Sequence, residues 1–355
     1  MDIHSLTKLA GLIAISLSSV LFTSHSFADI NADTNSEDRF WINRTHQNLG
    51  NVDNFQAVVE QTLSNTTSPL ISDVIFETPN SFHQKVIQPD SFKGFEASYS
   101  NNTITLYDSL NKQALQIKGL APYKKSSSLD RVRGIYMYNK EHYEQKFTPS
   151  IHVAERLSVG IDFMAKEDNL EIRKVEAFVD YHYSLVMQSN LIFNSGIESK
   201  ATNISMLFNK DNLSLPSINL SKDTHVESWN FRKKHLSKKR ISKKIDPNII
   251  WPEDKGNTWG FSANKFYPQG NNTNAAAYYH SDNYFLITLT KKSSRDELSQ
   301  LGVPVTLGNT QAVLNQLPTF ANLQFKSKGI HYTLLSNIHP QSLLTMAKAM
   351  VSPEE

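Results

Sequence analysis

The chain has 355 residues, of which 39% are hydrophobic and 10% aromatic, a net charge of +2 and no cysteine. That is ample apolar material for packed cores, and the missing thiols exclude disulfides, thiol nucleophiles and cysteine metal sites together. Export without cysteine points to a bacterial envelope, where a large core rather than crosslinks supplies stability.

The first signal in chain order is an apolar run of about fourteen residues from Leu9 to Phe22, after Lys8 and leading into Ser26-Phe27-Ala28. It fits a signal-peptide core and is short of the roughly twenty residues a bilayer span needs. Small Ser26 and Ala28 suit signal peptidase, so residues 1–28 are expected to be removed and the periplasmic chain to begin at Asp29. No later stretch is apolar enough to span a membrane.

Residues 29–50 are polar and read as a flexible lead-in. From Asp53 to Thr62 the residues Phe55, Val58, Val59 and Leu63 recur at helical spacing, which predicts an amphipathic helix. Beyond Pro69 the period changes to two, the mark of strands with one buried face. Ile104 and Leu106, then Leu115 and Ile117, alternate with polar neighbours around a turn at Asp108 to Asn111. Between Val153 and Phe208 four further alternating runs are separated by polar breaks at hairpin spacing, so successive strands should pair antiparallel. A curved meander packed on the early helix is the expected first unit, 51–225.

The segment 226–248 is a polybasic linker: Arg232, Lys233, Lys234, Lys238, Lys239, Arg240, Lys243 and Lys244 put eight cations into one short run and leave a net −6 for the rest. Such a run attracts anionic lipid head groups, at about 1 kcal/mol per cation near the surface, or an acidic partner, and is screened by salt. It is assigned to partner or membrane-surface binding, and nucleic acid is excluded by the compartment. A second, smaller unit spans 249–352. Phe285, Ile287 and Leu289 alternate as a strand, a hairpin turns at Lys328-Gly329, and Pro340 to Met350 reads as a closing helix, giving an α+β unit.

No chemistry-bearing constellation emerges. Gly256 to Gly260 lacks the Lys-Ser/Thr ending of a phosphate loop. His280-Ser281-Asp282 imitates a triad only in print, because consecutive strand residues point to opposite faces. Asp180 and His182 could share a strand face and supply two metal ligands, but no third is indicated. Glu253 and Asp254, or Asp296 and Glu297, sit in polar contexts where acids stay solvated. No catalytic residue, metal ligand or cofactor is assigned.

Several stretches nevertheless share a pattern: Phe82 to Val86 with Pro89 to Lys93, Ile104 to Tyr107, Val153-Ala154-Glu155-Arg156-Leu157, Phe178-Val179-Asp180, Tyr279 to Asp282, and Tyr332-Thr333-Leu334 with Pro340. Together they resemble the LolA-like envelope superfamily, and within it the MucB/RseB branch of sigma-E factor regulatory proteins. The chain departs from that pattern at Asn283, where Gly is expected, and in the polybasic insert. The resemblance implies an N-terminal curved antiparallel half-barrel over helices with an apolar cavity for acyl chains. It also implies a smaller C-terminal domain that docks on the periplasmic part of an inner-membrane anti-sigma factor, and no catalysis. Phe92, Phe95, Tyr99, Leu106, Leu115, Phe163 and Phe178 are the expected cavity lining. A non-enzymatic sensor holding a lipid-like ligand is the expected function. A periplasmic lipoprotein or lipid carrier of LolA type is the alternative, against which the second unit argues. Sequencing the N-terminus of the exported protein is expected to read Asp29-Ile30-Asn31.

Overall fold

A computed structural model describes residues 52–351 except 65–67, 78–80, 122–137, 140, 184, 212, 233–234, 245, 247, 255–257, 262, 270–273, 283, 293–301 and 318. The expected signal peptide and lead-in, Lys233, Lys234, the side chain of Lys244, Asp296 and Glu297 lie outside the described residues. The chain starts in the middle of its first sheet. β1 (Asn54–Leu63), β2 (Leu70–Glu77), β3 (Ser81–Gln88), β4 (Phe95–Ser100), β5 (Thr103–Asp108) and β6 (Gln113–Lys118) step outward as an antiparallel meander. β7 (Tyr143–Val153), β8 (Arg156–Ala165), β9 (Ile172–Asp180), β10 (Val186–Phe193) and β11 (Glu198–Phe208) step back from the opposite edge until β11 pairs with β1. β12 (His225–Asn230) then pairs parallel to β6, giving twelve strands in the order β12-β6-β5-β4-β3-β2-β1-β11-β10-β9-β8-β7.

A second sheet repeats the plan. β13 (Ala263–Gln269), β14 (Asn274–His280) and β15 (Phe285–Lys292) are followed by β16 (Val303–Leu307), β17 (Thr310–Gln316), β18 (Ala321–Ser327) and β19 (Ile330–Ser336), ordered β13-β14-β15-β19-β18-β17-β16. Helix α1 is Lys238–Lys244 and α2 is Pro340–Val351, and Tyr138, Asn139, Glu141 and His142 before β7 are helical as well. The sequence expectation of a half-barrel over helices is therefore corrected: the described residues form two open sheets, mostly β, with few helices. The expected helix at Asp53 to Thr62 is corrected too, because these residues are β1. Its burial alternates strictly, with Phe55, Ala57, Val59, Gln61 and Leu63 inward. Val58 points the other way. Gln61 at an inward position hides the period of two, and pairing with β2 and β11 on both sides overrides the local helical spacing.

The expected β5–β6 hairpin and the antiparallel strands between Val153 and Phe208 form as read, and so does the hairpin at Lys328-Gly329. Two-residue loops at Asn101-Asn102, Ala154-Glu155 and Lys328-Gly329 all have positive φ, between 50° and 58°, 49° and 61°, and 50° and 75°. This is the turn whose twist matches that of paired strands.

The registers carry one face across the large sheet. Phe55, Phe76, Phe82, Tyr99, Ile104, Ile117 and Trp229 stand directly opposite one another in turn, forming a row over seven strands, and all are buried. The face bearing this row is the inner face. It meets the second sheet: the rings of Phe82 and Phe320 are 5.9 Å apart, and the Ala121 N–H donates to the Tyr278 hydroxyl at 2.8 Å. Phe231, just beyond β12, stacks on Tyr278 at 5.0 Å and accepts a hydrogen bond from the Tyr267 hydroxyl at 2.6 Å. At the other end the Ile172 N–H donates to Gln341 of α2 at 2.9 Å. Removing the Phe82 ring empties part of both halves of this contact. Phe82→Ala is expected to cost about 3–5 kcal/mol, read as a lowered urea midpoint by far-UV circular dichroism.

Candidate ligand-binding face

The inner face differs between its two halves. Next to the aromatic row runs a second row, Ala57, Val74, Gln84, Ala97, Leu106 and Leu115, also buried, in which the Gln84 amide donates to Ser72 at 3.1 Å. On the other side of β1 the side chains shorten. Gln61 is opposite Ala201, which is opposite Ser189, then Ala177, then Ile161 and finally Phe147. Ile161, Val179 and Val186, with half-buried Phe147 and Phe163, form an apolar cluster separate from the main core. Phe163 touches both clusters. At the end of this strip Leu157 and Tyr181 are 41% and 37% exposed, joined by the Tyr181 N–H donating to the Leu157 carbonyl at 2.9 Å.

Two irregularities bound the short-chain region. β11 carries an extra residue, Ile204, between Asn203 and Ser205 where it faces β1, and β10 carries Met187 between Val186 and Gln188 where it faces β9. The Asn203 amide donates to the carbonyls of Val186 and Met187, both at 3.1 Å, and so ties one bulge to the neighbouring strand. Between them Val59, Val186, Met187, Gln188, Ser189, Ala201, Thr202 and Asn203 line a shallow depression that has no room for even a water molecule. A pocket for a small molecule usually measures roughly 300–1,000 Å³.

The expected lining residues divide accordingly. Phe95, Tyr99, Leu106 and Leu115 are on the inner face, fully packed in the main core, and Phe92 packs on that core from the turn before β4. Phe163 shares the inner face but belongs to the partly exposed strip. Phe178 is on the opposite face, directly across from Gly160, where a Cβ would meet its ring at 3.1 Å and the Thr148 hydroxyl more closely still. Phe147, Val179 and Val186 were not singled out from sequence. β7 is too polar to show its phase, and the bulge at Met187 breaks the alternation around Val186.

Arg156 and Asp180, which belong to the shared sequence pattern, meet in space. The Arg156 Nε–H donates to Asp180 at 2.5 Å and Nη2 donates at 3.3 Å, and the carboxylate is wholly buried. Asp180 also accepts the backbone N–H groups of His182 and Tyr183 at 2.8 and 2.6 Å. The guanidinium lies over the rings of Tyr183 and Phe208, 5.0 and 4.8 Å from their centres. Asp180 and His182 therefore close a turn; the described residues contain no cluster of three or more metal-ligating side chains. Ser281 accepts the Tyr284 N–H at 3.1 Å, again as turn chemistry. His339 is buried against Tyr138 and accepts the Gln341 N–H at the start of α2 at 3.1 Å. Burial, and then the charge of His142, push its pKa down to about 3, so it stays a neutral acceptor at ordinary pH. The second sheet buries Asn315, opposite Asn322, and Gln324, whose amide atoms have no hydrogen-bond partner.

The cations of the polybasic segment group around α1. Arg232, Lys238, Lys239, Arg240 and Lys243 are exposed, whereas Ile241 between them is buried. No described helix is long and apolar enough to cross a membrane.

No family model and no curated protein matches the sequence. Among solved structures, the complex of Pseudomonas aeruginosa MucA and MucB is similar at 12% identity over 89% of this chain and 98% of that one, with a TM-score of 0.42. An uncharacterized conserved protein from Thermus thermophilus is 13% identical over 54% of this chain and 99% of its own, TM-score 0.38. Mycobacterium tuberculosis lipoprotein LppX is 10% identical over 51% and 97%, TM-score 0.32. The chain is similar to MucB and to LolA-superfamily proteins.

The Arg156–Asp180 pair gives a direct test of what closes this end of the sheet. Asp180→Asn leaves a guanidinium without its carboxylate in a half-buried site and is expected to cost about 3 kcal/mol, while Arg156→Met/Asp180→Asn recovers part of that loss. Urea midpoints of the two single variants and the double variant measure the coupling.

Proposed function

We propose that this chain is an exported, non-enzymatic binding protein that lays the acyl chain of a lipid-like ligand along the inner face of β8 to β11. In this reading it works as a sensor whose second unit contacts an inner-membrane partner of the anti-sigma type. The observation that carries the ligand half is the run of short side chains, Ala201, Ser189 and Ala177, flanked by a separate apolar cluster against which half-buried Phe147 and Phe163 pack. The aromatic row fills the first half of the face with its own side chains, so a hydrocarbon tail would enter beyond β1, by displacing smaller side chains. Phe163 and Phe147 would flank the tail. The depression is not a ready-made pocket, so a ligand would have to part the side chains of this strip to seat on the face. The partner half rests on the sequence resemblance to the MucB/RseB branch, and MucB itself has been crystallised with MucA.

Mass spectrometry of organic extracts from natively purified protein is expected to find an acyl lipid, and Ala177→Leu, which fills the row without adding polarity, is expected to remove it while leaving the circular dichroism spectrum unchanged. Lipid-free wild-type protein that also fails to take up a fluorescent fatty acid would sink the proposal.

A further inference from the structure

Helix α1 of the polybasic segment is tied to the second sheet. Ser237 begins α1, its hydroxyl accepting the Arg240 N–H at 3.4 Å. The Leu236 N–H donates to the Phe266 carbonyl of β13 at 2.8 Å, and Ile241 is wholly buried. A helix turns about 100° per residue, so Lys239 and Lys243, two positions to either side of Ile241, project from the far side of the helix. Arg240 flanks them. Lys238 lies nearer the body and pairs with Glu253 at 3.2 Å. Lys239 and Lys243 are spaced i, i+4, an arrangement of like charges that weakens a helix when nothing opposes it. Ile241 burial and the Leu236 bridge keep the helix in place in spite of that.

We infer that α1 is a docking element for an anionic phospholipid surface, with Lys239, Arg240 and Lys243 against the head groups. Three observations favour a lipid surface over an acidic protein. The outward face has no aromatic or aliphatic anchor among its cations, whereas the centre of a protein interface is built on such anchors. Lysine, which is depleted from interface cores, dominates here. The cations diverge from a short convex helix held to the protein on its other side, which suits a flat field of phosphates better than a single complementary carboxylate cluster. The inference does not rest on the acyl-chain reading above, because α1 lies outside the inner face of β8 to β11.

The test is cosedimentation of the full mature chain with phosphatidylcholine vesicles and with vesicles containing phosphatidylglycerol. Binding is expected only to the anionic vesicles, and to vanish at about 1 M salt, where the screening length falls to about 3 Å. Lys239→Gln/Arg240→Gln/Lys243→Gln is expected to weaken it about 100-fold with an unchanged thermal melt. Inorganic phosphate at matched ionic strength should not compete. Equal binding to neutral vesicles, full binding by the triple variant, competition by inorganic phosphate, or capture by an acidic polypeptide without any vesicle binding would each overturn the inference.

Discussion

The strict alternation of β1, paired on both sides, is the constraint on which the large sheet depends. β1 meets β2 along one edge and β11 along the other, and every other strand of the sheet inherits its face through one of those two ladders. Because side chains alternate with a period of two, a slip of one residue at either ladder would send a whole half of the inner face to the outside. Phe55 is where the aromatic row begins. It stacks on Phe76 at 5.0 Å and leans on Phe208 at 6.4 Å, so the first inward residue of the first strand packs against both neighbours at once. The bulges at Ile204 and Met187 fall in the half where the face is built of small residues. Extra residues in a ladder bend the strand and re-aim side chains, and they recur beside functional sites. Here they lie among the small side chains of β10 and β11.

How much of this could be read from the sequence follows from how each residue earns its burial. Ile104, Leu106, Leu115 and Ile117 alternate cleanly because their strands are apolar on one face only, and the hairpin at Lys328-Gly329 announces itself by its turn residues. The C-terminal helix is legible because Leu343, Leu344, Ala347 and Met350 share a face and are all buried. β1 is misread because inward Gln61 and outward Val58 break the alternation in opposite senses, an arrangement only the two neighbouring ladders explain. Phe178 looks like its neighbours on paper, yet a phase difference of one residue puts it over Gly160 on the other face. The Arg156–Asp180 pair was present as two separate motif fragments, twenty-four residues apart, and only the adjacency of β8 and β9 joins them. The small-residue row is invisible for a more basic reason. Ala177, Ser189 and Ala201 come from three different strands, and no single stretch of sequence shows that they line up.

Open sheets expose edges, and an apolar face beside a bare edge invites pairing with another chain. The strands that end the two sheets are β7, β12, β13 and β16. Three of them contain proline, Pro149 in β7, Pro268 in β13 and Pro304 in β16, each of which removes a donor from a strand at the end of its sheet, and β13 is further covered by the Leu236 bridge to Phe266. β7 is also kinked between Thr148 and Ile151 and presents Glu144 and Lys146 to solvent. The fourth, β12, is only six residues long and runs parallel to its neighbour. With no cysteine to staple the chain and no closure of either sheet among the described residues, these devices stop the sheets from extending into another molecule. They also leave the inner face beyond β1 bordered by a blunted edge instead of a closed wall.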